Sequence, residues 1–192
     1  MKKTLLLAIF ALCCTSISAQ RLKEGDLNFL KGEKELNIIV DYSHIIFKFG
    51  NGIDEEKYVE RQAIKEGEQW REKWMTLKDS IKSGSKNTFL FKEFNLALFE
   101  RGCTLRGGNF AQANYTMNIV IKEICIGEVP FDDPYIVLDI FFTKTNSTDK
   151  IAVFKTNTTN IMAFANMEWR VETLHKQAGK KFGYFIANKI KF

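Results

Sequence analysis

The spacing of apolar positions changes repeatedly along the chain, and each change marks an element. Over residues 36–49, Leu36, Ile38, Val40 and Tyr42 alternate with Asn37, Ile39, Asp41 and Ser43. A period of two with one wholly apolar set predicts a long strand, broken near 41–43 and closed by the turn Gly50-Asn51-Gly52. The period then lengthens. Val59, Ala63, Gly67, Trp70, Trp74, Leu77 and Ile81 recur every three or four residues, which is the buried stripe of a helix over about 54–82. Asp54 is placed to cap it, and Glu55 and Glu56 suit its positive end. Gly67 either costs about 1 kcal/mol inside that helix or marks a bend. Residues 83–87 form a loop, with Ser85 or Asn87 as the next cap. Phe91, Phe94, Asn95, Leu98 and Phe99 then give one face of a second helix over 88–101, closed by Gly102. A short strand over 103–106 and a turn at Gly107-Gly108-Asn109 follow.

Three β-rich runs come next, at 113–127, 134–145 and 150–158. In the first, Tyr115, Met117, Ile119 and Ile121 face one way and Thr116, Asn118, Val120 and Lys122 the other. That is a sheet covered on one side. The second run is apolar on both faces except at Asp139, so it is expected to be buried on both. The third returns beside it through the loop 146–149 as a hairpin. Asn166 is placed to cap a last helix over 167–191. Its stripe is Val171, Leu174, Ala178, Phe182, Phe185, Ile186 and Ile190. Gly179, Gly183 and Ala187 lie beside the stripe at four-residue steps. Small residues in that pattern let a helix sit close on a neighbour, here expected to be the sheet. The order predicts an α+β fold: a two-layer sandwich with a mixed or antiparallel sheet of four to five strands, and helices packed mainly on one face. One domain is expected over 36–192, preceded by a polar, flexible arm over 20–35.

The amino terminus adds a destination. Lys2 and Lys3 precede the apolar run 5–14, and the mostly small residues Thr15-Ser16-Ile17-Ser18-Ala19 precede Gln20. This is the pattern of a secretory signal peptide over 1–19, cut near Ala19. Ten apolar residues are too few to span a bilayer, so no transmembrane span is expected after cleavage. The expected location is periplasmic or secreted. The formal charge is +5, or +3 once Lys2 and Lys3 are removed. Such a mild, unclustered charge does not point to nucleic acid. Cys103 and Cys125 remain after cleavage, and an oxidising compartment allows them either to form a disulfide or to stay as two small buried hydrophobes.

Little in the chain has the form of a catalytic constellation. His44 and His175 are the only histidines. The chain has no nucleophile elbow, phosphate loop or metal-ligand spacing, and no cofactor is expected. Asp139 is a carboxylate in a hydrophobic strand. It either pairs across strands with Lys122 or Lys155, or acts as an acid with Asp41 or Asp133 in a hydrolase. Trp70 and Trp74 lie one helical turn apart. They either cover the sheet or, if exposed, stack on a glycan or anchor a partner. Asp79-Ser80-Ile81 matches a short O-glycosylation motif at Ser80.

Three stretches carry a resemblance: the helix closing Phe94-Asn95-Leu96-Ala97-Leu98, the strand from Ala113 to Gly127, and Ala178-Gly179-Lys180-Lys181-Phe182 in the last helix. Their arrangement resembles the periplasmic domain of the curli secretion channel, the amino-terminal domain of the Tol system's propeller protein, and uncharacterised secreted proteins of Bacteroidetes. The long helix with its two tryptophans departs from that pattern. The resemblance implies a cell-envelope setting and brings no catalytic residues. The function expected is therefore a non-catalytic protein-interaction or assembly module with an envelope protein partner, its oligomeric state left open. The alternatives are a glycan or small-ligand binder and, third, a carboxylate hydrolase.

Overall fold

The computed structural model describes residues 21–127, 134–159 and 166–190. The signal-like segment 1–19, the loop acids Asp132 and Asp133 and the connector 160–165 lie outside the described residues. The strands are β1 (Arg21–Glu24), β2 (Glu35–Asp41), β3 (Ile46–Phe49), β4 (Ile53–Asp54), β5 (Arg106–Gly108), β6 (Tyr115–Cys125), β7 (Tyr135–Lys144) and β8 (Lys150–Thr159). The helices are α1 (Glu55–Glu66), α2 (Glu68–Lys82), α3 (Asn87–Glu100) and α4 (Met167–Ile190).

The architecture is α+β with one mixed sheet, larger than the four to five strands expected. Seven strands and the two-residue β4 form it, in the order β1-β8-β7-β6-β2-β5, with β3 also beside β6. Two features enlarge it. The long strand expected over 36–49 is two strands, split at Tyr42 to Ile45, and both run parallel to β6. The residues expected to be a flexible arm are held instead. β1 pairs antiparallel with β8, Leu27 and Leu30 enter the core, and the Phe29 ring lies 4.7 Å from that of Tyr115. Their apolar side chains show no period because they cover one end of the sheet rather than line one face of an element.

The described helices cover one side of the sheet. Met117, Ile119 and Ile121 of β6, Ile136, Leu138, Ile140 and Phe142 of β7, and Phe154 of β8 share a single core with residues of all four helices. The β6–β7 register shifts between Ile121 and Glu123, so Lys122 forms a bulge. The extra residue keeps both Ile121 and Ile124 on the core side. β7 is not buried on both faces as expected: Tyr135, Val137, Asp139 and Phe141, on the side away from the helices, are only half-buried.

Gly67 is the bend between α1 and α2, with φ of 92°, a conformation that glycine adopts at little cost. The short strand near 103–106 is displaced to Arg106–Gly108. A Cβ on Gly107 would run into the Phe94 ring and lie 2.6 Å from Ile38 Cδ1, so this glycine marks close packing rather than a turn. Gly179 and Gly183 do pack closely, but against α3 and not the sheet. A Cβ on Gly179 would meet the Leu90 carbonyl, and one on Gly183 would lie 2.6 Å from Ala97 Cβ.

Candidate functional site

Trp70 and Trp74 are core residues, 9% and 0% exposed. The Trp74 ring packs edge-on to Phe47 and Phe49 at 5.2 and 4.9 Å, and Phe49 stacks on Tyr58 at 4.1 Å. Trp74 Nε1 donates to Glu55 at 2.9 Å. At that burial neither tryptophan presents the exposed platform considered from the sequence for glycan stacking, and Trp74 forms part of the lining of the groove beside it. They close the joint between α1, α2 and β3.

Around that joint the chain leaves a groove of about 610 Å³, walled by β3, α1 and α2. Ile45, Phe47 and Val59 contribute apolar lining, and Ile46 and Met75 stand at its mouth, 54% and 47% exposed. Its carboxylates differ in their partners. Asp54 does not cap α1 with its side chain because it pairs with Lys48. Glu55 accepts from Trp74 and from Lys78 at 2.5 Å. Glu56 and Glu60, one turn apart on the exposed side of α1, form no ion pair among the described residues. On the other wall Arg71 is committed to Glu68 at 2.9 Å.

The helix-free face of the sheet forms a second surface. Strand register places Ile39, Asn118, Phe141 and Val153 in one row across β2, β6, β7 and β8. The next row is Asp41, Val120, Asp139 and Lys155. Ile39 is 50% exposed, and Val120, Phe141 and Val153 are half-buried. Asp139 pairs with Lys155 at 3.7 Å, one of the two cross-strand partners expected. Asp41 lies two strands away across Val120, about 10 Å at ordinary strand spacing. Backbone and side-chain hydrogen bonds from Ser43 hold the Asp41 carboxyl below its usual range, which suits an ionised surface group rather than a general acid.

A polar cluster that the sequence reading missed lies between these surfaces. His175 is fully buried on α4. Its Nδ1 is 2.8 Å from the Val171 carbonyl oxygen, which can only accept, so Nδ1 carries a proton. Tyr42, in the link between β2 and β3, directs its hydroxyl at Asn87 Oδ1, 2.6 Å away, and lies 3.0 Å from His175 Nε2. Burial, reinforced by the Lys86 charge, pushes the imidazole down to about 4. The neutral ring therefore accepts at Nε2, and the phenol proton is shared between two acceptors. Lys86 is itself buried and donates to Glu168 at 2.8 Å and Glu172 at 3.4 Å. Burial pulls the Lys86 ammonium down, but these two carboxylates outweigh it and the net shift is upward. The available sequence signals were the position of His175 next to Leu174 on the apolar stripe, and Glu168 and Glu172 one turn apart.

The remaining candidates stand apart from one another. Cys103 and Cys125 are not joined to each other. Cys125 pairs in register with Lys48 and Tyr135 on the helix-free side of the sheet, whereas Cys103 packs against the core on the helical side, so the sheet lies between them. Ser80 sits within α2, half-buried, and donates to the Leu77 carbonyl at 2.7 Å. Among the described residues no cluster of three or more His, Cys, Asp or Glu is arranged to hold a metal ion, and no helix is long and apolar enough to cross a membrane.

No family model matches the chain, and no curated protein matches it either. Among solved structures it is similar to the PelC dodecamer from Paraburkholderia phytofirmans, at 9% identity and a TM-score of 0.43, covering 84% of this chain and 96% of that one. It is also similar to a protein from Xanthomonas campestris described by the family model DUF330, at 10% identity and a TM-score of 0.37, covering 88% of this chain and 91% of that one. At these scores no site or activity carries across. The expected likeness to the curli channel and Tol propeller domains finds no support in these matches.

Proposed function

We propose that the protein is a non-catalytic interaction module of the bacterial envelope that docks a protein partner on the helix-free face of its sheet. The observation that carries this reading is the group of Ile39, Phe141 and Val153, in a row with Asn118, and Val120 in the next row with Asp41, Asp139 and Lys155, on a face that none of the described helices covers. An apolar centre with a charged rim is the usual anatomy of a protein interface. The envelope setting is supported by the basic, apolar and small-residue order of residues 1–19. Catalysis by Asp139 and Asp41 has less support. Paired hydrolytic carboxylates face each other across a cleft, and these two lie on a flat face with Val120 between them.

A photo-crosslinking residue placed at Ile39 or Val153 in cells tests the reading. Expected are one defined partner band from both positions and none from Lys176 on α4. Ile39→Lys with Val153→Lys should abolish that band at unchanged thermal stability. Equal capture from Lys176, or no capture at Ile39 and Val153, overturns the reading.

A further inference from the structure

The groove beside β3 has a composition at odds with the rest of the chain. The whole sequence carries a formal charge of +5, yet the wall of the groove on α1 presents Glu56 and Glu60, neither with a cation among the described residues. Two like charges four residues apart on a helix repel each other; neither forms an ion pair among the described residues, and Arg71, which also lines the groove, is held by Glu68. Beneath them lies apolar surface: Phe47 and Val59 line the groove together with Met75, which is about half exposed, and Ile46, also about half exposed, borders it from the opposite face of β3. Methionine is common on surfaces that adapt to a bound segment.

We infer that this groove docks a cationic amphipathic segment of another protein, seating an apolar side chain on Ile46 and Met75 while a lysine or arginine on each side meets Glu56 and Glu60. Charge complementarity selects this occupant. An acidic segment would face two unpaired carboxylates, and a neutral apolar one would leave them unanswered at the edge of a dry contact. Asp54 and Glu55 are already neutralised by Lys48 and Lys78 and hold the wall in place rather than meet the partner. The groove adjoins the helix-free sheet face only at Ile46, so variants at Glu56, Glu60 and Met75 test it separately from Ile39 and Val153.

The test uses the full chain and a fluorescent short peptide in which lysines flank leucines, with a glutamate-for-lysine version as control, read by anisotropy. The lysine peptide is expected to bind and the glutamate peptide not to bind. Glu56→Gln with Glu60→Gln should weaken binding at least tenfold and flatten its salt dependence. Ile46→Asn with Met75→Gln should weaken it at least tenfold while leaving the salt dependence. All four positions are exposed, and thermal unfolding monitors that each variant folds. Ile39→Lys with Val153→Lys, on the other face, should leave peptide binding unchanged. Equal binding of both peptides, absence of binding, or binding indifferent to the groove variants overturns the inference. So does a concentration-dependent rise in mass that Met75→Gln abolishes, because the occupant would then be a second copy of this chain.

Discussion

The seam between α3 and α4 and the groove between β3, α1 and α2 use opposite residue types. At the seam the chain places Gly179, Gly183 and Ala187 where two helices meet, and backbone approaches backbone at Leu90 and Phe94. At the groove it places isoleucine, methionine and glutamate, and leaves them half exposed or more. Small residues allow a contact with no adjustable side chain, so the seam has one geometry. Large residues left in water can adjust their rotamers to whatever covers them. The contrast teaches that this chain has a closed side, where sequence specifies packing, and an open side, where large apolar side chains stand half exposed.

The largest effect should come from filling the seam. In Gly179→Ala the new methyl meets the Leu90 carbonyl, which is backbone and cannot rotate away. The helices must separate, at a cost of about 3 kcal/mol or more, the upper end of overpacking penalties. Chemical denaturation measures it. A loss under about 1 kcal/mol would mean that the seam yields, and the contrast with the groove would break.

Next in size is the buried polar cluster that ties the seam to the β2–β3 link. The His175 pKa is about 4 in the fold against roughly 6.5 unfolded. Folding therefore requires the neutral ring. Its stability contribution is complete above the unfolded value, falls as pH drops from 6.5 toward 4, and is gone below that. The window corresponds to about 3 kcal/mol at most. The groups facing the ring are Tyr42, Asn87 and the Val171 carbonyl, with the Lys86 ammonium nearby held by Glu168 and Glu172. Denaturation midpoints should decline across that window, and His175→Gln should lower stability at neutral pH and flatten the decline. An unchanged slope in the variant would assign the acid sensitivity elsewhere.

These two regions also differ in how far they could be read from sequence. Period and punctuation were readable. The break in the strand over 36–49 and the Asn166 cap, whose Oδ1 accepts from Trp169 N at 2.9 Å, follow from local rules, whereas the bend at Gly67 and the Asp139–Lys155 pair were each one of two alternatives that those rules left open. What a stripe packs against was not readable, because a helical period identifies a buried face and not its neighbour. The glycines of α4 therefore pointed to the sheet when their partner is α3. The tryptophan pair raised the same difficulty, since its spacing is equally that of core and of an exposed platform. The groove left no signal at all, because its walls come from three elements, each patterned as an ordinary amphipathic segment. Leu27, Phe29 and Leu30 escaped because residues that cover a sheet end need no period.

A smaller effect is expected where the seam reaches the sheet edge. Asn95 of α3 donates to the Gly107 carbonyl at 2.7 Å and accepts from the Gly107 N–H at 2.8 Å. It thus occupies, with a side chain, the edge groups of β5 that another strand would use. Asn95→Ala should cost about 1–2 kcal/mol for the hydrogen bonds lost. Amide exchange at Gly107 should accelerate, and the uncapped edge should raise the tendency to aggregate. Unchanged exchange would show that the side chain does not hold this edge, leaving the closed side less closed than the geometry implies.

The smallest effect on stability is the most telling about the open side. Met75 is 47% exposed, so Met75→Gln removes little buried area and should stay within about 0.5 kcal/mol of the parent. The same kind of change on the closed side, Leu174→Gln, buries an amide among core side chains at a position that is 0% exposed, and should cost several times more. The pair of variants measures the contrast directly. If Met75→Gln proved as damaging as Leu174→Gln, the methionine would be part of the core, and the groove would be a seam not yet recognised. If it leaves stability untouched and removes binding of the lysine peptide, the exposed methionine is there for a contact the isolated chain does not make.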